Sequence, residues 1–83
     1  MSEEMKNHNE EMEQLKEVAK RIRHIRELLN LSEYEMAAYT GVSAEDYAEY
    51  EKGTKDFNFT FIYKCAKKFN VDPTDLLKGS SPT

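Results

Sequence analysis

Cys65 is the only thiol in this chain of 83 residues, and His8 and His24 are its only imidazoles. A structural zinc site needs four nitrogen or sulfur ligands at short spacings, and neither histidine has a second Cys or His near it. A single cysteine has no internal partner, so nothing points to an oxidising compartment. On the apolar side of a helix, Cys65 is expected to be a buried, inert thiol. There are only three glycines, no glycine-rich phosphate loop, and no nucleophile beside a histidine. No enzyme, metal site or cofactor is therefore expected. At 9.7 kDa the chain forms one domain that buries about 60–65% of its unfolded surface, too little for a deep closed cleft.

Charge is the remaining chemistry. Twelve Lys and Arg stand against 16 Asp and Glu, a formal net charge of -4, but the charges are segregated. Residues 1–17 hold two Lys and six Glu, and residues 31–56 hold two Lys against seven acids. Residues 18–30, with Lys20, Arg21, Arg23 and Arg26 against Glu27, carry a basic excess. So do residues 57–83, with four Lys against two Asp. Basic side chains on one face are the footprint of phosphate contact; singly, each is also what any solvated helix face carries. No apolar run approaches the roughly 20 residues that span a bilayer, and the start Met-Ser-Glu-Glu lacks the features of a signal peptide. A cytoplasmic, acidic, all-α domain without membrane association is expected.

The elements that must position these charges are marked by their caps. Ile22, Ile25, Leu28 and Leu29 recur at three- and four-residue spacing and predict one apolar helix face. Ser32 and Glu35 have capping-box spacing at the start of a second helix, which Gly41 ends in the left-handed conformation. Ser43 and Asp46 repeat the start signal for a third helix, with Tyr47 and Tyr50 inward and Gly53 at its end. Asn58 opens a fourth, with Phe59, Ile62, Cys65, Ala66 and Phe69 as its stripe and Asn70 as its left-handed cap. Asp72-Pro73 opens a short fifth helix that carries Leu76 and Leu77 and ends at Gly79. Tyr47, Tyr50, Phe59 and Phe69 sit at core spacing. Phe57, with Phe61 or Tyr63, is expected to form an exposed aromatic patch.

Five short helices with the turn Gly41-Val42-Ser43 between the second and third make a helix-turn-helix arrangement. The stretch Arg21-Ile22-Arg23-His24-Ile25-Arg26, then Leu31-Ser32, Met36-Ala37, Gly41-Val42-Ser43, Tyr50-Glu51-Lys52-Gly53, Cys65-Ala66 and Asn70-Val71, resembles the XRE (phage-repressor-like) helix-turn-helix family over about residues 18–78. The ending from Leu76 to Pro82 is similar to the linker that follows this domain in XRE regulators with a C-terminal cupin sensor.

The resemblance implies a DNA-binding domain of a transcriptional regulator. Its third helix lies in the major groove and the start of its second helix contacts phosphate. Mapped onto this chain, the DNA-facing positions are Glu33 on helix two, then Ser43, Ala44, Glu45, Asp46, Ala48 and Glu49 on helix three. Lys52 and Lys55 follow as phosphate contacts. Lys20, Arg21, Lys64, Lys67 and Lys68 are further phosphate candidates. Arg26 and Glu51 occupy the positions of a structural salt bridge. Double-stranded DNA, a second copy of the chain and a C-terminal sensor domain are the implied partners. The base-facing residues are nevertheless small or acidic, whereas major-groove readout favours Arg, Lys, Asn and Gln. A degenerate helix-turn-helix that meets a protein partner through its acidic third helix is therefore the alternative.

The chain divides into an acidic, partly helical arm over residues 1–16, the helix-turn-helix domain over 17–78, and a tail or linker start over 79–83. Met5, Met12, Leu15, Ala19, Ile22 and Leu29 fall on the a and d positions of a heptad frame, interrupted by His8 and Arg26. Helix one is expected to start near Asn9. Its extra turns either cover the domain's own core, dimerise, or shield the basic surface of helix one.

Overall fold

The computed structural model describes the backbone of residues 2–78 and the side chains of residues 13–78. Five helices follow one another: α1 (Ser2–Leu28), α2 (Glu33–Thr40), α3 (Ala44–Lys52), α4 (Phe59–Phe69) and α5 (Pro73–Lys78). No strand occurs among the described residues. The tail, including the expected stop at Gly79, lies outside them, as do the side chains of Met5, His8 and Met12.

The helix starts are side-chain caps. Ser32 Oγ accepts from the Glu35 N–H at 3.0 Å while Glu35 Oε1 accepts from the Ser32 N–H at 2.7 Å, a complete capping box. Ser43 Oγ accepts from the Asp46 N–H at 3.0 Å, but Asp46 does not reach back. One methylene shorter than Glu, its carboxylate turns instead to Lys55 Nζ at 3.5 Å. Asn58 Oδ1 accepts from the Phe61 N–H at 2.7 Å, and Asp72 Oδ1 from the Thr74 N–H at 3.0 Å beside Pro73. Left-handed residues end the helices: Gly41 after α2, Gly53 after α3 and Asn70 after α4. Asn30, at φ 59°, does the same after α1, an ending that the sequence reading missed.

The core gathers Val18 and Ile22 of α1, Met36 and Ala37 of α2, Tyr47 and Tyr50 of α3, Leu76 of α5 and the inner face of α4. Three expectations need correction. Leu28 and Leu29 are 68% and 48% exposed. The inward position in the last turn of α1 is filled by Arg26, and the left-handed Asn30 carries Leu31 back onto the core instead. Phe59 is 69% exposed, because at about 100° per residue it falls off the stripe centred on Phe61, Ile62, Cys65 and Phe69. Phe57 and Phe61 form no exposed patch. Phe61 is buried, and half-buried Phe57 stacks on it at 5.7 Å between centroids and on Tyr50 at 5.4 Å. The exposed aromatic pair is Phe59 with Tyr63.

α1 begins at Ser2 rather than near Asn9 and runs unbroken past residue 16. Leu15 is half-buried, and Lys16 packs so closely on Gly53 that a Cβ there would stand 2.9 Å from Lys16 Cγ and 3.2 Å from its Cα. The part of the helix before the expected domain boundary thus rests on the end of α3. No helix among the described residues is long and apolar enough to cross a membrane.

Candidate nucleic-acid interface

The turn between α2 and α3 is closed by backbone bonds. The Gly41 N–H donates to Ala37 O at 2.9 Å, and the Val42 N–H donates to the same carbonyl at 3.0 Å. The Thr40 hydroxyl donates back to Met36 O at 2.7 Å, satisfying a buried polar side chain. Val42 then packs on the core and Ser43 caps α3. With Tyr47 and Tyr50 buried, helical geometry at 3.6 residues per turn turns Ala44, Glu45, Ala48, Glu49 and Lys52 toward the other side. Glu45, Glu49 and Lys52 are exposed, and the two alanines are half-buried.

A guanidinium fixes α3 against the rest of the domain. Arg26 Nε donates to Glu51 Oε2 at 2.6 Å and Nη2 to Oε1 at 3.2 Å, a bidentate fork, while Nη1 donates to Leu31 O at 2.7 Å. The Glu51 side chain is only 4% exposed and that of Arg26 11%. The bonds to Glu51 raise the pKa of Arg26 above its ordinary value, against the opposing effect of burial. Glu33 Oε2 lies 4.0 Å from the same guanidinium. One side chain therefore joins α1, the loop before α2, the start of α2 and α3. Beside it, the Tyr47 hydroxyl is buried with no hydrogen-bond partner of good geometry among the described residues. Burial pushes its ionisation well above the ordinary phenol range, and the nearby Glu51 carboxylate pushes the same way. Burial likewise pushes the Cys65 thiol up to about 12.

Glu33 sits exposed at the start of α2, and Ser43 is consumed as a cap. Lys52 is exposed in the last turn of α3. Lys55 is tied to Asp46 and lies 5.9 Å from the Tyr50 ring centroid. Glu33 thus lies near the Arg26–Glu51 fork, Ser43 belongs to the cap of α3, and Lys55 is drawn to Asp46. Several other basic residues have internal duties. Arg21 Nη1 donates to Leu76 O at 2.9 Å and Leu77 O at 3.3 Å, satisfying carbonyls at the end of α5. Lys64 lies over Gly41, and Lys68 over the Tyr39 ring at 5.2 Å. No local signal announces the Arg21 contact, which spans 55 positions of sequence. No cluster of three His, Cys, Asp or Glu side chains suited to a metal ion occurs among the described residues.

A family profile described as "Helix-turn-helix domain" matches residues 19–82. The chain belongs to that helix-turn-helix family, with the XRE, phage-repressor-like arrangement of five helices. Its structure is similar to that of the restriction-modification controller protein C.AhdI from Aeromonas hydrophila, with a TM-score of 0.70 at 24% sequence identity, covering 75% of this chain and 94% of that one. No curated protein matches the chain significantly.

Proposed function

We propose that the chain is the DNA-binding domain of a transcriptional regulator, with α3 in the major groove and Lys52 and Lys55 on phosphate. The observation that carries this is the α2–turn–α3 unit. Its second helix is clamped from behind by Arg26–Glu51 and leaves Ala44, Glu45, Ala48 and Glu49 turned away from the core. A helix anchored near its C-terminal end that leaves Glu45 and Glu49 exposed suits groove insertion, in which N-terminal side chains of the second helix meet base edges. A restriction-modification controller protein is built on the same frame, which agrees with a regulatory, non-catalytic role. The working unit is a cytoplasmic homodimer in which paired half-sites supply avidity.

Fluorescence anisotropy with a random duplex and with DNA from upstream of the gene, at about 50 and 200 mM salt, tests the function. Upstream DNA should bind more tightly than random duplex, and both should weaken as salt rises. A folded protein that binds neither duplex at the lower salt would contradict it. The second reading, a module that meets a basic protein partner, is favoured by one observation. Of the two lysines following the base-facing residues, Lys55 already serves Asp46, so the face has little free positive charge.

A further inference from the structure

We propose that the outer face of α3 selects cytosine, with Glu45 and Glu49 accepting from the exocyclic N4 amino groups of cytosines in the major groove. The selectivity rests on the DNA-binding function proposed above and specifies which DNA that function takes. The structure divides the four carboxylates of α3 into two pairs. Glu51 is buried in the fork with Arg26, and Asp46 is drawn sideways to Lys55 at 3.5 Å. Glu45 and Glu49 have no ion-pair partner among the described residues and are exposed. They lie one turn apart, a rise of about 6 Å along the helix, close to the roughly 6.8 Å of two base-pair steps. Ala44 and Ala48 stand beside them. Small side chains at these points let the helix approach the base edges and place methyl groups where thymine presents its own.

The chemistry of the groove then decides among the bases. An ionised carboxylate has acceptors and no donor. Guanine presents N7 and O6, both acceptors, and thymine presents the acceptor O4. Adenine has one donor, N6, but the acceptor N7 lies next to it. Cytosine presents N4 as a donor with no acceptor beside it on the same base. Two negative charges near the phosphates weaken binding to every sequence, and the loss is offset only where both find donors. The acids thereby act as specificity devices, excluding wrong sites by repulsion as well as accepting the right ones.

Selection from a random duplex library by the wild-type chain, Glu45→Gln and Glu49→Gln tests this, with anisotropy on the selected duplexes and thermal unfolding as the check on folding. The wild type should enrich cytosine at two positions within a half-site. A glutamine amide both donates and accepts and so suits adenine N6 and N7. Each variant should therefore move one position, and not the other, from cytosine to adenine, with a roughly tenfold loss of cytosine preference there. Both variants should also bind random duplex more tightly than the wild type, since each removes a negative charge. If the wild type binds DNA in a salt-dependent way but enriches no cytosine, or both variants select the wild-type sequence, the cytosine assignment is overturned while the DNA-binding function stands. If the folded wild type binds no duplex at low salt, both fall.

Discussion

Arg26 concentrates more structural consequence than any other residue of the domain. It makes three hydrogen bonds, two to Glu51 and one to Leu31 O. Arg26→Ala should lower the unfolding free energy by about 3–5 kcal/mol, because it leaves the buried Glu51 carboxylate unpaired. Arg26→Met combined with Glu51→Leu should recover most of that loss. Urea unfolding of the three proteins checks both statements, and a loss under about 1 kcal/mol in the single variant would refute the first. Cys65 gives a pH signature. Its thiol is pushed up to about 12 in the fold, whereas an unfolded thiol ionises near pH 8.5. The folded state holds this proton more tightly, so the stabilising contribution is complete below about pH 8.5 and is lost as pH rises toward 12. The urea midpoint of the wild type should fall more steeply between pH 8 and 10 than that of Cys65→Ala. An equal slope in both would contradict the burial effect. The Arg26–Glu51 contact was legible from family-like positions in the sequence; the place of the Tyr47 hydroxyl next to it was not, because inward spacing says nothing of where a hydroxyl ends.

At the scale of elements, local chemistry was the most legible. Ser32 with Glu35, Ser43, Asn58 and Asp72 all cap as their spacing implies, since a cap needs only three or four consecutive residues. Asn30 escaped notice because Leu28, Leu29 and Leu31 surround it and continue an apolar pattern across the break. Phe59 and Phe61 straddle Thr60, and the sequence pattern pointed to Phe59 as the inward residue; the stacking of Phe61 on Tyr50, with ring centroids 4.1 Å apart, places Phe61 there instead. The contact of the earlier part of α1 with the end of α3 was hidden, because it lies between Lys16 and a glycine. It yields an ordering of two substitutions. Gly41 and Gly53 both sit at positive φ, at 77° and 75°, so alanine at either costs roughly 1–2 kcal/mol from the backbone alone. At Gly41 the new Cβ would meet only Lys64 Nζ at 3.6 Å, an ordinary contact. At Gly53 it would press on the Lys16 backbone. Gly53→Ala should therefore lower the melting temperature clearly more than Gly41→Ala. Equal losses would mean that Lys16 does not press on Gly53.

The whole molecule combines a frame suited to DNA with a face poor in positive charge. The frame follows from patterns spread over residues 18–78, which is why it could be read from the chain. The distribution of charge among duties could not, because it depends on tertiary neighbours: Arg21 serves α5, Lys68 covers Tyr39, and Lys55 neutralises Asp46. That distribution makes the lysines unequal. Lys52→Ala should weaken duplex binding evenly across sequences and reduce the salt slope by about one. Lys55→Ala removes a positive charge and also releases the Asp46 carboxylate, so it should weaken binding more at about 50 mM salt. Anisotropy titrations of the two variants decide, and a larger loss for Lys52→Ala would contradict the role given to the Asp46–Lys55 pair. On this reading the face around α3 meets DNA. Mapping backbone amide shifts in nitrogen-15 NMR spectra while a selected duplex is added tests it most directly. The largest changes should fall on Glu33–Glu35, Ser43–Glu49 and Lys52–Lys55, with the outer face of α4 around Tyr63 unmoved. Changes centred on α4 and α5 with α3 silent would contradict the account.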